Sequence, residues 1–157
     1  MRWFAARGHP STGVDRSAEA LAALADLRAQ GQAELVQADL ETAPWPLTRN
    51  NVMRQFDAVV VTNYLWRDLW PQILASLAPG GLLIYETFAI GNETVGRPSR
   101  PDFLLQPGEL LQRCAALRIV AYEDGYEPSP ERFVQRIAAI AQRPLGRMQD
   151  SRFLPRL

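Results

Sequence analysis

Short apolar runs alternate along this chain with segments whose apolar residues recur at helical spacing. The clearest strand pattern is residues 56–62, where four consecutive apolar residues predict a strand covered on both faces, as in a parallel sheet. Apolar residues then recur every four positions over residues 65–77, which predicts a helix ended by the Pro-Gly-Gly sequence at 79–81. A further apolar run predicts a strand over residues 82–88.

The amino-terminal part predicts the same alternation in shorter elements. Residues 1–6 have the pattern of a helix end, with a glycine just beyond it, where a left-handed residue is favoured. Strands are expected at residues 11–14 and 34–38. Between them we expect a helix that begins after Ser17 as its cap and ends at Gly31.

Two stretches, residues 40–55 and 89–106, have no regular pattern. The second is rich in glycine and proline, and loops of that length in compact domains are often functional or mobile. Residues 117–126 and 132–141 are predicted to be strands, although the second also has the spacing of a helix face. The basic tail, residues 143–157, is predicted to be loosely held.

This order of elements predicts one α/β domain over residues 1–142, with a doubly wound, mostly parallel sheet and an antiparallel carboxyl-terminal strand. Ligands of such sheets bind beyond the carboxyl ends of the strands. Polar residues follow three of the predicted strands there: Asp15, Asp39, and Thr62 with Asn63.

The bulk composition excludes several classes of protein. The chain has 157 residues with 17 basic and 17 acidic side chains, so no net field favours nucleic acid or an anionic membrane. No apolar run is long enough to span a bilayer. The single cysteine, Cys114, allows no internal disulfide, which is compatible with the cytoplasmic location that we expect. The sequence also has no Cys/His cluster for zinc and no G-x-S-x-G nucleophile elbow.

Five segments resemble class I S-adenosylmethionine-dependent methyltransferases, and more narrowly the small bacterial ones of the tellurite-resistance-like type. The most specific is LAPGGLLIYETF at 77–88, which is similar to the family's loop and fifth strand. The others are GVDRSAEAL at 13–21, VQADLE at 36–41, FDAVVVTNYLW at 56–66 and VQRIAAIA at 134–141. The resemblance implies a Rossmann-like fold, S-adenosylmethionine as cofactor and methyl transfer to a small-molecule acceptor.

The resemblance also assigns cofactor contacts. A carboxylate at Asp15 would accept hydrogen bonds from both ribose hydroxyls, and one at Asp39 would accept from the adenine amino group. The Leu40 N–H would face a ring nitrogen. The residues expected to bind the cofactor are Asp15, Arg16, Asp39, Leu40, Asn63 and Tyr64. Read from the residues alone, the two aspartates can equally be turn residues, and Tyr64 can simply pack in a helix.

Methyl transfer requires little acid–base catalysis by the protein, because the methyl group on the sulfonium of S-adenosylmethionine is already activated. No catalytic residue is therefore assigned, and no metal is expected. Arg67 and Glu86 are candidates for contact with the acceptor, although a solvated helix residue and a buried polar pair are the simpler interpretations.

The family's first strand and glycine-rich turn have no counterpart here, since the sequence contains no G-x-G-x-G. We therefore expect these 157 residues alone to bind the cofactor poorly and to self-associate through unpaired strand edges. Three functions stay open: a methyltransferase whose first strand lies upstream, a non-catalytic α/β interaction module that binds no cofactor, and a nucleotide-binding domain for another cofactor. The third would also need the missing glycine turn, and the Pro-Gly-Gly segment before the strand does not favour it.

Overall fold

The computed structural model of the chain describes residues 1–142, so the predicted tail, residues 143–157, lies outside the described residues. The chain divides into two compact units, Met1–Met53 and a second unit that begins at Arg54. Each is described by itself below. The prediction of one domain over residues 1–142 stays a prediction.

The first unit is built on a pair of parallel strands with short helices beside them. Its elements are α1 (Arg2–Ala5), β1 (Ser11–Asp15), α2 (Ala18–Ala22), α3 (Ala25–Ala29), β2 (Ala33–Gln37) and a small hairpin of β3 (Thr48–Arg49) and β4 (Val52–Met53). β1 and β2 pair in parallel from Ser11↔Ala33 to Asp15↔Gln37. The predicted strands 11–14 and 34–38 are thereby confirmed to within one residue.

A small apolar cluster holds the first unit together. Ala5, Leu27 and Ala33 are buried, with Met1 and Leu35 packed against them. At Gly13, a Cβ atom would lie 2.4 Å from the sulfur of Met1, so a larger residue could not be accommodated there without displacing the Met1 side chain.

Local signals placed two turns of the first unit correctly. The Ser17 hydroxyl accepts a hydrogen bond from Ala20 N at 3.1 Å, which confirms the predicted cap. Gly31 has a φ of 69°, as expected of a glycine beyond a helix end. The predicted single helix is instead two, α2 and α3, separated by a break at Ala23 and Leu24.

The β3–β4 hairpin lies in a stretch that the sequence pattern left irregular. Its turn residues Asn50 and Asn51 both have positive φ, 52° and 60°, the combination that a tight two-residue hairpin requires. Consecutive asparagines were the available signal for this turn.

The second unit contains a four-stranded mixed sheet in the order β5-β6-β8-β7. Its strands are β5 (Phe56–Thr62), β6 (Leu77–Phe88), β7 (Arg118–Pro128) and β8 (Glu131–Ile140), and its helices are α4 (Trp70–Ala75) and α5 (Glu109–Arg113). β5 pairs with β6 in parallel, and β8 pairs antiparallel with β6 and β7. This confirms the predicted α/β architecture with an antiparallel carboxyl-terminal strand.

Three details of the second unit differ from the predictions. The helix expected over 65–77 is instead a 3-10 turn, Arg67–Leu69, followed by α4. Pro71 lies in the first turn of α4, where a backbone N–H would have no partner within the helix, so the lack of an N–H in proline costs nothing. β6 begins at Leu77, so the Pro-Gly-Gly sequence belongs to an irregular strand start. β5 is not covered on both faces, because Val60 is 45% exposed.

The long segment that follows β6 folds back, so that its residues near 105 pair with the carboxyl end of β6. Leu105 N donates to Phe88 O at 3.0 Å, and Ile90 N donates to Leu105 O at 3.0 Å. Leu104 and Leu105 are buried. The segment contains two 3-10 turns, Asn92–Thr94 and Pro101–Phe103. None of the helices in residues 1–142 is long and apolar enough to cross a membrane.

Candidate functional site

Asp15 and Asp39 lie at the carboxyl ends of two adjacent parallel strands. Asp15 is the last residue of β1 and is paired with Gln37, the last residue of β2. Asp39 follows β2 by two residues. Ala38 N donates to Asp15 O at 3.1 Å, which ties the two strand ends together. Strand pairing therefore brings these two sequence-predicted residues to one edge of the first unit.

The Asp15 carboxylate is exposed and is oriented by its own turn. Its Oδ1 accepts a hydrogen bond from Ser17 N at 2.8 Å. Gln37 Nε2 donates to Arg16 O at 3.1 Å, which holds the backbone after Asp15 against β2. The carboxylate is thus held at the strand end, with its second oxygen accepting no hydrogen bond from residues 1–142 in the structure. A carboxylate in this position can accept from a hydroxyl of a bound molecule.

Asp39 begins a turn of its own. Its Oδ1 accepts from Glu41 N at 3.0 Å. That backbone hydrogen bond and one from the Thr42 side chain hold the pKa of Asp39 below its usual range. Asp39 is therefore a carboxylate at neutral pH. The half-buried Leu40 N–H donates to no acceptor among the described residues, so it can serve as a donor to a ligand.

Asn63 and Tyr64 occupy the turn after β5. Asn63 has a φ of 53°, a left-handed conformation that is uncommon for a residue other than glycine. Two bonds from β6 hold the turn: Asn63 N donates to Glu86 O at 2.9 Å, and the Tyr85 hydroxyl donates to Tyr64 O at 2.7 Å. Backbone held in this unusual conformation is common at ligand sites.

Tyr85 is itself fixed beneath that turn. It is fully buried, and its ring stacks on that of Trp70 with 4.7 Å between centroids. Burial raises the pKa of Tyr85 far above its usual value, so its hydroxyl keeps the proton that it donates to Tyr64 O. Tyr85 thus orients the turn that carries Asn63 and Tyr64.

Glu86 belongs to a network of ion pairs on β6, β7 and β8. Its Oε1 accepts from Arg132 Nη1 at 2.9 Å, and its Oε2 accepts from Arg136 Nε. Arg136 Nη2 also reaches Glu127 at 2.8 Å, and Arg132 Nε reaches the same carboxylate at 2.5 Å. Both Glu86 oxygens are engaged by guanidinium groups, and these ion pairs do not favour an interaction of Glu86 with the methyl acceptor. That interaction stays a prediction.

Arg67 clamps the segment after β6 to α5. Its Nε and Nη2 donate to the two oxygens of Glu109 at 2.9 and 2.8 Å. Its Nη1 and Nη2 also donate to the carbonyls of Asp102 at 2.7 Å and Leu104 at 3.0 Å. A role of Arg67 in contacting the acceptor likewise stays a prediction, because its guanidinium is already bound within the chain.

The buried partner of Arg67 was not singled out in the sequence. Burial acts to raise the pKa of Glu109, but hydrogen bonds from Arg67, from Gln106 N and from Arg113 outweigh it and hold the pKa below the usual range. Glu109 is a charged helix residue by pattern, and no sequence signal marks it as buried. Gln135 is different, because it is a polar residue at an inward position of an apolar strand. A polar residue that interrupts an apolar pattern can be recognised in the sequence.

Residues 1–142 contain no group of three or more His, Cys, Asp or Glu side chains placed to hold a metal ion. Cys114 is buried, and burial raises the pKa of its thiol to about 11, so it is not a nucleophile at neutral pH.

No protein-family model matches the chain, and no curated protein sequence matches it either. Solved structures do. TehB from Haemophilus influenzae matches with a TM-score of 0.67 and 16% identity over 90% of this chain and 53% of that one. This chain therefore spans about half the length of that structure.

Two further solved structures also match the chain. One is a Burkholderia thailandensis 1,6-didemethyltoxoflavin-N1-methyltransferase with bound 1,6-didemethyltoxoflavin and S-adenosylhomocysteine, at TM-score 0.62 and 16% identity over 90% of this chain and 65% of that one. The other is the cyclase SpnF, at TM-score 0.60 and 16% identity over 87% of this chain and 67% of that one. The chain has the Rossmann-like fold of the class I S-adenosylmethionine-dependent methyltransferases.

Proposed function

We propose that this protein transfers a methyl group from S-adenosylmethionine to a small-molecule acceptor. The observation that carries the proposal is the placement of Asp15 and Asp39 at the carboxyl ends of adjacent parallel strands, in the fold of these methyltransferases. In open α/β sheets, that end of the strands is where ligands bind.

The residues of the first unit fit the nucleoside part of the cofactor. Asp15 offers an exposed carboxylate whose Oδ2 accepts no hydrogen bond from the described residues, and a vicinal diol needs such an acceptor. Asp39 is ionised and can accept from an exocyclic amino group, while the neighbouring Leu40 N–H can donate to a ring nitrogen. Arg16 lies in the same turn, and its carbonyl is held by Gln37.

Asn63 and Tyr64 are proposed to contact the methionyl part of the cofactor. Their turn follows the carboxyl end of β5, and Tyr85 and the Glu86 carbonyl hold it in a left-handed conformation. A turn fixed in advance loses little conformational entropy when a ligand binds.

The cofactor would supply the activated methyl group, and the protein would bind, align and exclude water. No side chain of the described residues is proposed as a general base, because that requirement depends on the acceptor. A small molecule is the acceptor class we favour, since a structure of the same fold holds one of that class.

The alternative function is a non-catalytic α/β interaction module that does not bind the cofactor. The same fold, at a similar TM-score, is also that of a protein named as a cyclase. Fold alone therefore does not select the reaction. The two proposals differ in whether Asp15 matters for binding S-adenosylmethionine.

The test is calorimetric titration of S-adenosylmethionine into two proteins: the 157-residue chain and the same chain extended by any in-frame residues encoded upstream. We expect the extended protein to bind, and Asp15→Asn to weaken binding by about tenfold or more, since a charge-assisted hydrogen bond contributes about 1.5–3 kcal/mol. A change of 1.4 kcal/mol corresponds to tenfold in affinity.

Glu19→Gln is the matched control, because Glu19 is an exposed carboxylate of α2 in the same unit. It should leave the affinity unchanged. Binding that is equally strong in Asp15→Asn would remove Asp15 from the site. Absence of binding by both proteins would favour the non-catalytic module.

A further inference from the structure

The segment after β6 forms a hollow of about 200 Å³ on the second unit. Its lining consists of Arg97, Pro98, Ser99, Arg100 and Phe103. Pro98 and Phe103 provide apolar surface, while two guanidinium groups and a hydroxyl provide hydrogen-bond donors. The lining therefore combines apolar side chains with hydrogen-bond donors, and two of those donors carry positive charge.

One end of the hollow is pinned by a buried asparagine. Asn92 is 1% exposed, and its Nδ2 donates to Pro98 O at 3.0 Å. Its Oδ1 accepts from Phe133 N at 3.2 Å, which connects the hollow to β8. A buried amide with both ends hydrogen-bonded holds the backbone around Pro98 in one place.

The other end is pinned by the Arg67 clamp. Arg67 donates to the carbonyls of Asp102 and Leu104, the two residues that flank Phe103. Glu109, whose side chain is only 7% exposed, holds the guanidinium in turn. The hollow is thus formed by a segment anchored on both sides, and a preformed site binds with a smaller entropic cost.

The charges around the hollow favour an anion. Arg97 makes no hydrogen bond or ion pair with the other described residues. Arg100 Nη2 pairs with Asp102 Oδ2 at 2.9 Å, but both side chains are more than two-thirds exposed, so the pair is weak. The Arg100 guanidinium also lies 5.2 Å from the centroid of the Phe103 ring. Guanidinium groups bind carboxylates and phosphates through paired donors.

We propose that this hollow binds a small molecule in which a flat apolar ring carries a carboxylate. The ring would rest on Pro98 and Phe103, and the carboxylate would accept from Arg97, from Arg100 and from the Ser99 hydroxyl. The proposal does not depend on methyl transfer, because the hollow lies within the second unit and needs no cofactor.

The test uses benzoate as the probe and the full chain labelled with nitrogen-15. We expect saturable shifts of backbone amide signals confined to residues 97–103, with a dissociation constant on the order of 1 mM. Benzylamine has the same ring with a positive charge and should cause no saturable shift there. Inorganic phosphate has the charge without the ring and should bind more weakly than benzoate.

Substitutions distinguish the effect of the arginine charges on benzoate binding from an effect on folding. Arg97→Gln and Arg100→Gln should each weaken benzoate binding by about tenfold, while Asp102→Asn should strengthen it because Arg100 loses its competing carboxylate. Arg118→Gln, an exposed arginine at the start of β7, should change nothing. Arg97 and Arg100 are also exposed, so the variants should fold.

Several outcomes would overturn the proposal. One is the absence of saturable shifts with benzoate, and another is equal binding by benzoate and benzylamine. Phosphate binding as tightly as benzoate would show a general anion site without a ring pocket. Because the measurement contains no S-adenosylmethionine, its failure would leave the proposed methyl transfer standing.

Discussion

The two faces of the four-stranded sheet in the second unit are built from the same apolar strands but differ in what covers them. On one face six residues of β6 and β8 are at most 2% exposed: Leu83, Tyr85, Thr87, Gln135, Ile137 and Ala139. On the other face Ile84 is 37% and Val60 45% exposed. Beside them lie Glu86 and Arg136 of the ion-pair network.

The two faces differ in burial because the helices that connect the strands pack on only one of them. α4 packs against β6, and α5 packs against β8, both on the buried face. An unbroken apolar run such as Val59 to Val61 was expected to mark a strand covered on both sides. An apolar run of this kind shows that a strand tolerates burial, while the helices that pack on the sheet determine which face is buried.

The largest effect should come from a pair of neighbouring truncations, Leu83→Ala and Ile84→Ala. Leu83 is fully buried, so its truncation should lower the free energy of unfolding by about 2.5–5 kcal/mol through lost packing and a cavity. Ile84 points to the other face, and its truncation should cost less than half as much. Urea unfolding of both variants measures this. Equal losses would show that both faces are covered in solution.

A buried amide gives the second prediction. Gln135 is fully buried, with Oε1 accepting from Leu110 N at 3.2 Å and Nε2 donating to Gln106 O at 2.6 Å. Gln135→Leu would leave both backbone groups without partners, and we expect a loss of about 1–3 kcal/mol in the free energy of unfolding. Gln112→Leu, at an exposed position of α5, is the control and should be near neutral. A neutral Gln135→Leu would mean that water replaces the amide.

The third prediction concerns pH and the Arg67–Glu109 pair on the buried face. The folded pKa of Glu109 lies below its ordinary value, so its contribution to stability is present above the unfolded pKa and is lost as pH falls through the folded one. Glu109→Gln should therefore be less stable than the parent at neutral pH, with the difference narrowing below about pH 4. Urea midpoints between pH 7 and pH 3 measure it. A stability difference between Glu109→Gln and the parent that stays constant with pH would contradict the lowered pKa of Glu109.

The smallest effect is expected on the exposed face. Glu86 and Arg136 are 24% and 30% exposed, and pairs that water reaches contribute about 0–1 kcal/mol. A double-mutant cycle with Glu86→Gln and Arg136→Gln measures their coupling. A coupling energy well above that range would show that the network is shielded from water in solution, which would undo the distinction between the two faces.

Local sequence signals predicted the elements because they act over a few residues. The Ser17 cap, the glycine at 31 and the apolar runs of β1, β2, β5 and β6 each fall where the pattern placed them. The ambiguous segment at 132–141 became a strand because it pairs with both β6 and β7, and no local pattern could decide that. The short β3–β4 hairpin was missed, since two-residue strands leave no periodicity.

The candidate site was predicted in part. Strand ends identified Asp15 and Asp39, because parallel pairing brings the carboxyl ends of neighbouring strands to one edge. Asn63 could be placed after β5, but its left-handed backbone could not. Arg67 and Glu86 looked available for a ligand in the sequence, and the structure shows both engaged with other charged residues. Such pairings link residues 42 to 50 positions apart, so no local pattern encodes them.

The sequence by itself determined the alternation of strands and helices, the turns at Ser17 and Gly31, and the acidic residues at the ends of β1 and β2. Only the tertiary structure decided which sheet face is buried, that Glu109 is an internal partner of Arg67, and that Arg97 and Arg100 flank one hollow. The physical reason is range. Backbone preferences and periodicity are fixed by near neighbours, whereas burial and ion pairing depend on which distant segments the fold brings together.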